Sequence, residues 1–230
     1  MSDEERAERG TGDATRPASA AERLAARVQR ARVPLRSTAS AVLRHIGRLD
    51  VAVYQAVAAT PTPSLDGPLR RLTGWANNSK LWLAIAAGLF AVGGKPGRRA
   101  AITGVVAIGV NSAVVNLPLK LSSGRSRPDR EAASVPEERR VPMPTSTSFP
   151  SGHSASGFAF ADAVATTLPA VAVPLRGLAA VVAYSRVHSG VHYPGDVIGG
   201  ALIGATIGEA TGSLARRVIR RGERSRTASA

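Results

Sequence analysis

Late in the chain, the twelve residues SRVHSGVHYPGD, Ser185 to Asp196, hold an arginine, two histidines and an aspartate between two apolar runs. Charge beside an apolar segment is costly to desolvate unless it is paired or used. Arg186, five residues, His192, three residues and Asp196 supply an anion-binding guanidinium, a nucleophilic or basic imidazole, and a carboxylate. Pro194 suits the first turn of a helix, where its missing N–H does no harm. Asp196 then stands one turn beyond His192, placed to accept a hydrogen bond from one ring nitrogen. That fixes the tautomer and leaves the other nitrogen free to attack. Tyr193 reads as an interface packer and His188, with no partner at a useful interval, as structural.

Two further stretches carry related chemistry. FPSGHS, Phe149 to Ser154, opens an apolar segment. Ser151 and Gly152 offer backbone N–H groups where a helix begins, a natural anion site, and glycine lets the chain approach a ligand closely. His153 would stand beside that anion, although an isolated histidine here would read as a cap. KLSSGRSRP places Lys120 and Arg127 at the end of another apolar segment, where basic residues on their own only anchor a helix to headgroups.

Composition limits the chemistry. The formal net charge is +14, nearly all of it from arginine, since Lys80, Lys95 and Lys120 are the only lysines. Such a balance suits an anionic partner: nucleic acid, a membrane surface or a phosphorylated substrate. The absence of cysteine excludes disulfides and thiolate metal sites. The four histidines (His45, His153, His188, His192) are not spaced as zinc ligands. No nucleic-acid motif or aromatic stacking platform is present, and the polar N-terminus shows no cleaved export signal.

These residues need elements to position them. Residues 1–42 are expected to be a disordered basic tail. Residues 43–79 read as an amphipathic, interfacial helix followed by a turn at PTPSLDGP. Residues 80–214 hold the apolar segments 81–94, 100–119, 154–173, 175–185 and 196–214, and residues 215–230 form a basic C-terminal tail. A bilayer span takes about twenty apolar residues. These segments are apolar on all faces and rich in Gly, Ala, Ser and Thr, as close helix packing in lipid requires. The expected fold is all-α, a multi-pass transmembrane bundle of five or six helices. By the positive-inside rule, KPGRR (95–99) and the tail from Arg216 face the cytoplasm. The loop from Lys120 to His153 and the turn around His192 then share the outer face. That loop keeps Lys120, Arg125, Arg127, Arg130, Arg139 and Arg140 where orientation disfavours cations, which implies that it uses them.

Together the three stretches resemble the signature KxxxxxxRP, PSGH and SRxxxxxHxxxD of the type 2 phosphatidic acid phosphatase superfamily. Every position is matched in order, with apolar helices between, over about residues 80–214. The superfamily also contains bacterial acid phosphatases and vanadium haloperoxidases. The resemblance implies that Lys120, Arg127 and Arg186 bind phosphate oxygens and that Ser151 and Gly152 add hydroxyl and backbone donors. It implies that His192 attacks phosphorus to form a phosphohistidine, with Asp196 supporting it. His153 would protonate the leaving alkoxide and then activate water. It implies no metal and no other cofactor, fixed cations taking the part Mg²⁺ plays in kinases. The expected function is an integral-membrane phosphatase of a lipid phosphate or pyrophosphate, of phosphatidate or isoprenoid type. Its expected partners are that substrate and membrane lipids, without nucleic acid, and its expected site lies on the extracytoplasmic face. The alternatives are a soluble member of the superfamily and a non-enzymatic basic protein that binds anions.

Overall fold

The computed structural model describes residues 39–228, so nearly all of the expected N-terminal tail lies outside the described residues. Within them the chain is helical, without strands, the all-α class expected. The helices are α1 (Ala39–Ala59), α2 (Pro63–Ala76), α3 (Lys80–Val92), α4 (Gly94–Val114), α5 (Gly152–Ala165), α6 (Ala172–His188) and α7 (Pro194–Ala228). A π-helical turn, Val115–Leu119, and a last turn, Lys120–Ser123, carry α4 on to the first motif.

Three elements differ from the sequence reading. Where the prolines and glycine of PTPSLDGP mark a turn, α2 begins at Pro63 and runs through Pro68. Proline at the first helical position loses nothing. Asp66, in the first turn, meets the positive end of the helix and pairs with the buried Arg139 at 2.9 Å, and this outweighs the breaker signal. The apolar stretch 154–173 is broken after Ala165. Pro169 biases Leu168 towards extended backbone (φ −124°, ψ 76°), so the chain turns through Pro169–Val171 before α6 starts. Finally, residues 215–228 continue α7 as one 35-residue helix.

α5, which opens with the PSGH stretch, is gripped on several sides. Gly200, Gly204, Gly208 and Gly212 form a stripe along α7 at intervals of four. A Cβ at Gly204 would lie 2.1 Å from the Ala155 carbonyl oxygen, and one at Gly200 would lie 2.5 Å from that of Ser151. Only a bare backbone fits so close, and the same stripe sets the depth of α5 against α7. On another side Gly104 of α4 receives the ring of Phe160, and Trp82 of α3 packs on Phe160 with centroids 5.7 Å apart. Trp82, Phe160, Val164 and Val182 are fully buried.

The outside is apolar where a soluble bundle would be polar. Leu83, Phe90, Ile102, Val106, Val181, Ile198 and Leu202 are exposed, while Asp162, Arg139, Arg186 and Asp196 are buried. An exposed apolar surface around a charged interior is the pattern of a protein that faces lipid. Pro169–His188 and Pro194–Ser225 are long and apolar enough to cross a bilayer by length and composition.

Candidate active site

The eight residues singled out by the sequence meet at the N-terminal end of α5. Lys120 closes the α4 extension, Arg127 lies in the following loop, and Ser151, Gly152 and His153 open α5. Arg186 comes from the last turn of α6, His192 from the turn after it and Asp196 from the first turn of α7.

Arg127 is fixed by the loop. Its Nε donates to the Ser146 carbonyl (2.8 Å), Nη1 to that of Val191 (2.8 Å) and Nη2 to that of Thr147 (3.2 Å). Nη1 also stands 3.2 Å from His192 Nε2. Lys120 Nζ and Arg127 Nη2 each donate to Ser146 Oγ at 3.2 Å, so the two cations share one hydroxyl. Arg186 is 2% exposed. Its Nη1 donates to Thr73 Oγ1 on α2, and its Nε finds no hydrogen-bond partner among the described residues. A buried guanidinium N–H without an acceptor is costly, and an anion would satisfy it.

His192 is buried, with its two nitrogens facing different partners. Nδ1 lies 3.5 Å from Asp196 Oδ2 and 3.5 Å from Ser148 Oγ, while Nε2 faces Arg127. Because Arg127 can only donate, Nε2 must carry the lone pair and Nδ1 the proton. Asp196, fully buried, accepts from Ser148 Oγ and from the Tyr193 N–H (2.9 Å) on Oδ2, and from Arg125 (2.9 Å) on Oδ1. Burial pushes the His192 imidazole down to about 4 against the pull of Asp196, and Arg127 and Arg186 push the same way. Burial and the nearby Arg127 and Arg186 also hold Lys120 below its usual value. Both effects describe a site short of negative charge.

His153 is half-buried, and its Nε2 donates to Asn77 Oδ1 at 2.8 Å. It sits in the combined field of Arg186, His192, Lys120 and Arg127. Ser151 departs from the sequence reading. Its N–H donates to the Asp196 carbonyl (3.0 Å) and its Oγ accepts from Ser154 (3.1 Å), so this backbone donor ties α5 to α7 instead of facing a ligand. Gly152 does face the site, 3.8 Å from Lys120 Nζ measured at the position of an added Cβ. A cavity of about 400 Å³ opens here. Its lining mixes polar residues, among them Lys120, His153, Asn78 and Asn111, with apolar ones such as Leu83 and Ile108.

Several residues were not visible as site residues in the sequence. Asn77, Ser146 and Ser148 sit in polar loops whose composition looks like any other turn. Arg125 was seen as an outer-loop cation only, and Thr73 lies on a helix whose first residues were read as a turn. His188, read as structural, is braced by Thr62 Oγ1 (2.9 Å) and Asp66 Oδ1 (3.1 Å). Arg139 also donates to the carbonyls of Val57, Ala58 and Thr60, which ties the loop between α4 and α5 to the α1–α2 connection.

Comparison with known proteins places this geometry. Residues 100–218, which contain all eight positions, match the PAP2 superfamily. Over 162 residues the chain is 34% identical to decaprenylphosphoryl-5-phosphoribose phosphatase of Mycobacterium tuberculosis, covering 68% of this chain and 85% of that one. Its fold is similar to the transmembrane PAP2-type phosphatidylglycerolphosphate phosphatase of Bacillus subtilis (TM-score 0.60, 23% identity, 76% of this chain and 88% of that one). It is also similar to LpxE of Aquifex aeolicus (TM-score 0.57, 25% identity, 71% and 94%). With the motif-bearing stretch matched throughout and the fold shared, the chain belongs to the PAP2 superfamily, the type 2 phosphatidic acid phosphatases.

Proposed function

We propose that this protein is an integral-membrane phosphatase that removes a terminal phosphate from a lipid phosphate or pyrophosphate through a phosphohistidine intermediate. The observation that carries the reading is the buried Arg186 Nε without an acceptor, set beside Lys120 and Arg127. A phosphate dianion would satisfy that donor and relieve the repulsion among the cations. The cavity supports the same reading, since Lys120 and His153 in its lining suit a phosphate and its apolar residues a hydrocarbon chain. The Mycobacterium tuberculosis relative acts on a decaprenyl-linked phosphoribose phosphate. A polyprenyl glycolipid phosphate therefore joins phosphatidate and isoprenoid pyrophosphates in the substrate class.

In this reading the Nε2 lone pair of His192 attacks phosphorus as the bond to the lipid oxygen breaks. Asp196 holds the Nδ1 proton and stabilises the cation that develops on the ring. Arg127, Arg186 and Lys120 stabilise the charge on the equatorial oxygens. His153 gives its proton to the departing alkoxide. It then takes one from the water that attacks phosphorus and breaks the N–P bond. The site faces the extracytoplasmic side and the end of α7 the cytoplasm.

Purified protein assayed against a panel of lipid phosphates and pyrophosphates tests the proposal. Hydrolysis should persist in excess chelator and be inhibited by vanadate, which mimics five-coordinate phosphorus in the cradle. Activity lost with EDTA and restored by Mg²⁺ would refute the cradle as drawn.

A further inference from the structure

Asp196 is held on its far side by two residues that no signature position covers. Arg125 donates through Nη1 to Asp196 Oδ1 at 2.9 Å and through Nη2 to Asp50 Oδ2. Its guanidinium lies over the Tyr193 ring, 4.6 Å from the centroid, and Tyr193 meets Tyr54 of α1 edge to face at 5.4 Å. Asp50, in α1, also accepts the Gly195 N–H on Oδ1 at 2.6 Å, at the positive end of α7. The fit around Gly195 is close, since a Cβ there would lie 2.9 Å from Asp50 Oδ2. The side chains of Asp50 and Asp196 are 7% and 0% exposed. Two buried carboxylates sharing one guanidinium are mutually dependent, unlike a surface ion pair.

We infer that Asp50 and Arg125 form a clamp that positions Asp196, and through it His192, so that α1 belongs to the catalytic architecture although it precedes the stretch matched by the family. The inference rests on the reading of His192 as nucleophile. The clamp occupies Oδ1 and so leaves Oδ2 facing Ser148, the Tyr193 N–H and His192 Nδ1. Without it the carboxylate can rotate and the imidazole with it. The phosphate ligands Lys120, Arg127 and Arg186 stay in place, because none of them bonds to Arg125 or Asp50.

The effect should therefore fall on chemistry and not on binding. Small misplacements of a reacting group cost up to about a hundredfold. Arg125→Gln should slow phosphoenzyme formation by about ten- to a hundredfold, with KM and inhibition by inorganic phosphate within about threefold of wild type. Arg125→Lys should recover part of the loss, since an ammonium is a point charge that cannot fork between two carboxylates. Asp50→Asn should cost less, because its amide oxygen still accepts from Gly195. The double variant Asp50→Asn/Arg125→Gln should be no slower than Arg125→Gln alone, as expected of residues acting in series.

The test uses the full-length protein in detergent, with rapid-quench phosphoenzyme formation, steady-state kinetics and inhibition by inorganic phosphate for each variant and for His192→Ala. Unchanged kcat in Arg125→Gln overturns the clamp. So does a rise in KM that matches the fall in kcat, or variants that no longer elute as a folded species that inorganic phosphate inhibits, because the network would then serve folding only. Turnover in His192→Ala would instead sink the nucleophile reading itself. An inactive His192→Ala beside a fully active Arg125→Gln removes the clamp alone.

Discussion

His192 and His153 share a field of cations, yet their surroundings give them separable behaviour. His192 presents a lone pair on Nε2 and has no neighbouring group able to replace it, so His192→Ala should lose essentially all phosphoenzyme. His153→Ala should depend on the leaving group. An alkoxide needs a proton as it departs, whereas p-nitrophenolate does not, and general acid–base help is worth about a hundred- to ten-thousandfold. Phosphoenzyme should therefore form far better from p-nitrophenyl phosphate than from a lipid phosphate, and equal impairment on both would contradict the assignment. The pH behaviour follows from burial. An unfolded chain takes up the His192 proton near 6.5, the folded protein only near 4. Between those values the unfolded state binds more protons, so this group's contribution is intact above 6.5 and is lost as pH falls towards 4. Thermal unfolding in detergent should show wild type losing more stability than His192→Asn from neutral pH down to about 4. Parallel losses would mean that the imidazole is not held neutral.

At the scale of elements, the α7 stripe decides whether α5 lies deep enough for His153 and Gly152 to face Lys120. The contact at Gly204 is with backbone, which cannot rotate away, so Gly204→Ala should destabilise the protein by about 1–3 kcal/mol. Activity should fall with it as α5 is pushed outward. Gly177→Ala, with nothing within 4 Å of an added Cβ, should be tolerated. Thermal unfolding together with phosphatase assay checks the pair, and equal tolerance would remove the stripe as the depth gauge. This packing was partly legible beforehand, because small residues at helical intervals in DVIGGALIGATIG announce close approach without naming the partner. The motif residues were legible because the spacing within each motif is local: three residues separate His192, in the turn after α6, from Asp196 in the first turn of α7. Asn77, Thr73 and Asp50 were not, because each reaches the site from an element distant in sequence, and Ser148 was not, because it looks like any other loop serine beside FPSGHS. The breaker residues of α2 also misled, because a buried pairing between Asp66 and Arg139 has no local trace.

For the molecule as a whole, charge and length together are what support the proposed orientation. In that orientation the loop from Lys120 to His153 keeps cations on the outer side against the positive-inside rule, but most of them are tied down. Arg125 is bound by Asp50 and Asp196, Arg139 by Asp66, Arg140 by Glu131, and Arg130 by the Val141 carbonyl. A cation locked into a folded loop offers little to an anionic membrane surface and so weighs little in orientation. The opposite end behaves otherwise. A hydrocarbon core of about 30 Å takes about twenty helical residues. Counting twenty from Asp196 along α7 reaches Arg216, where a dense run of arginines begins. Arg99, in the first turns of α4, pairs with Glu223 at 3.1 Å, so the basic start of α4 and the basic end of α7 lie at one end of the molecule. The proposed orientation puts that end at the cytoplasmic surface, as the positive-inside rule expects. The protein has no cysteine, so single ones report cleanly. In intact cells a membrane-impermeant maleimide should label Ala132→Cys, in the outer loop. Lys95→Cys and Arg217→Cys should react only after the membrane is opened. Labelling of position 132 from the cytoplasmic side alone would invert the topology and place the phosphate cradle inside the cell.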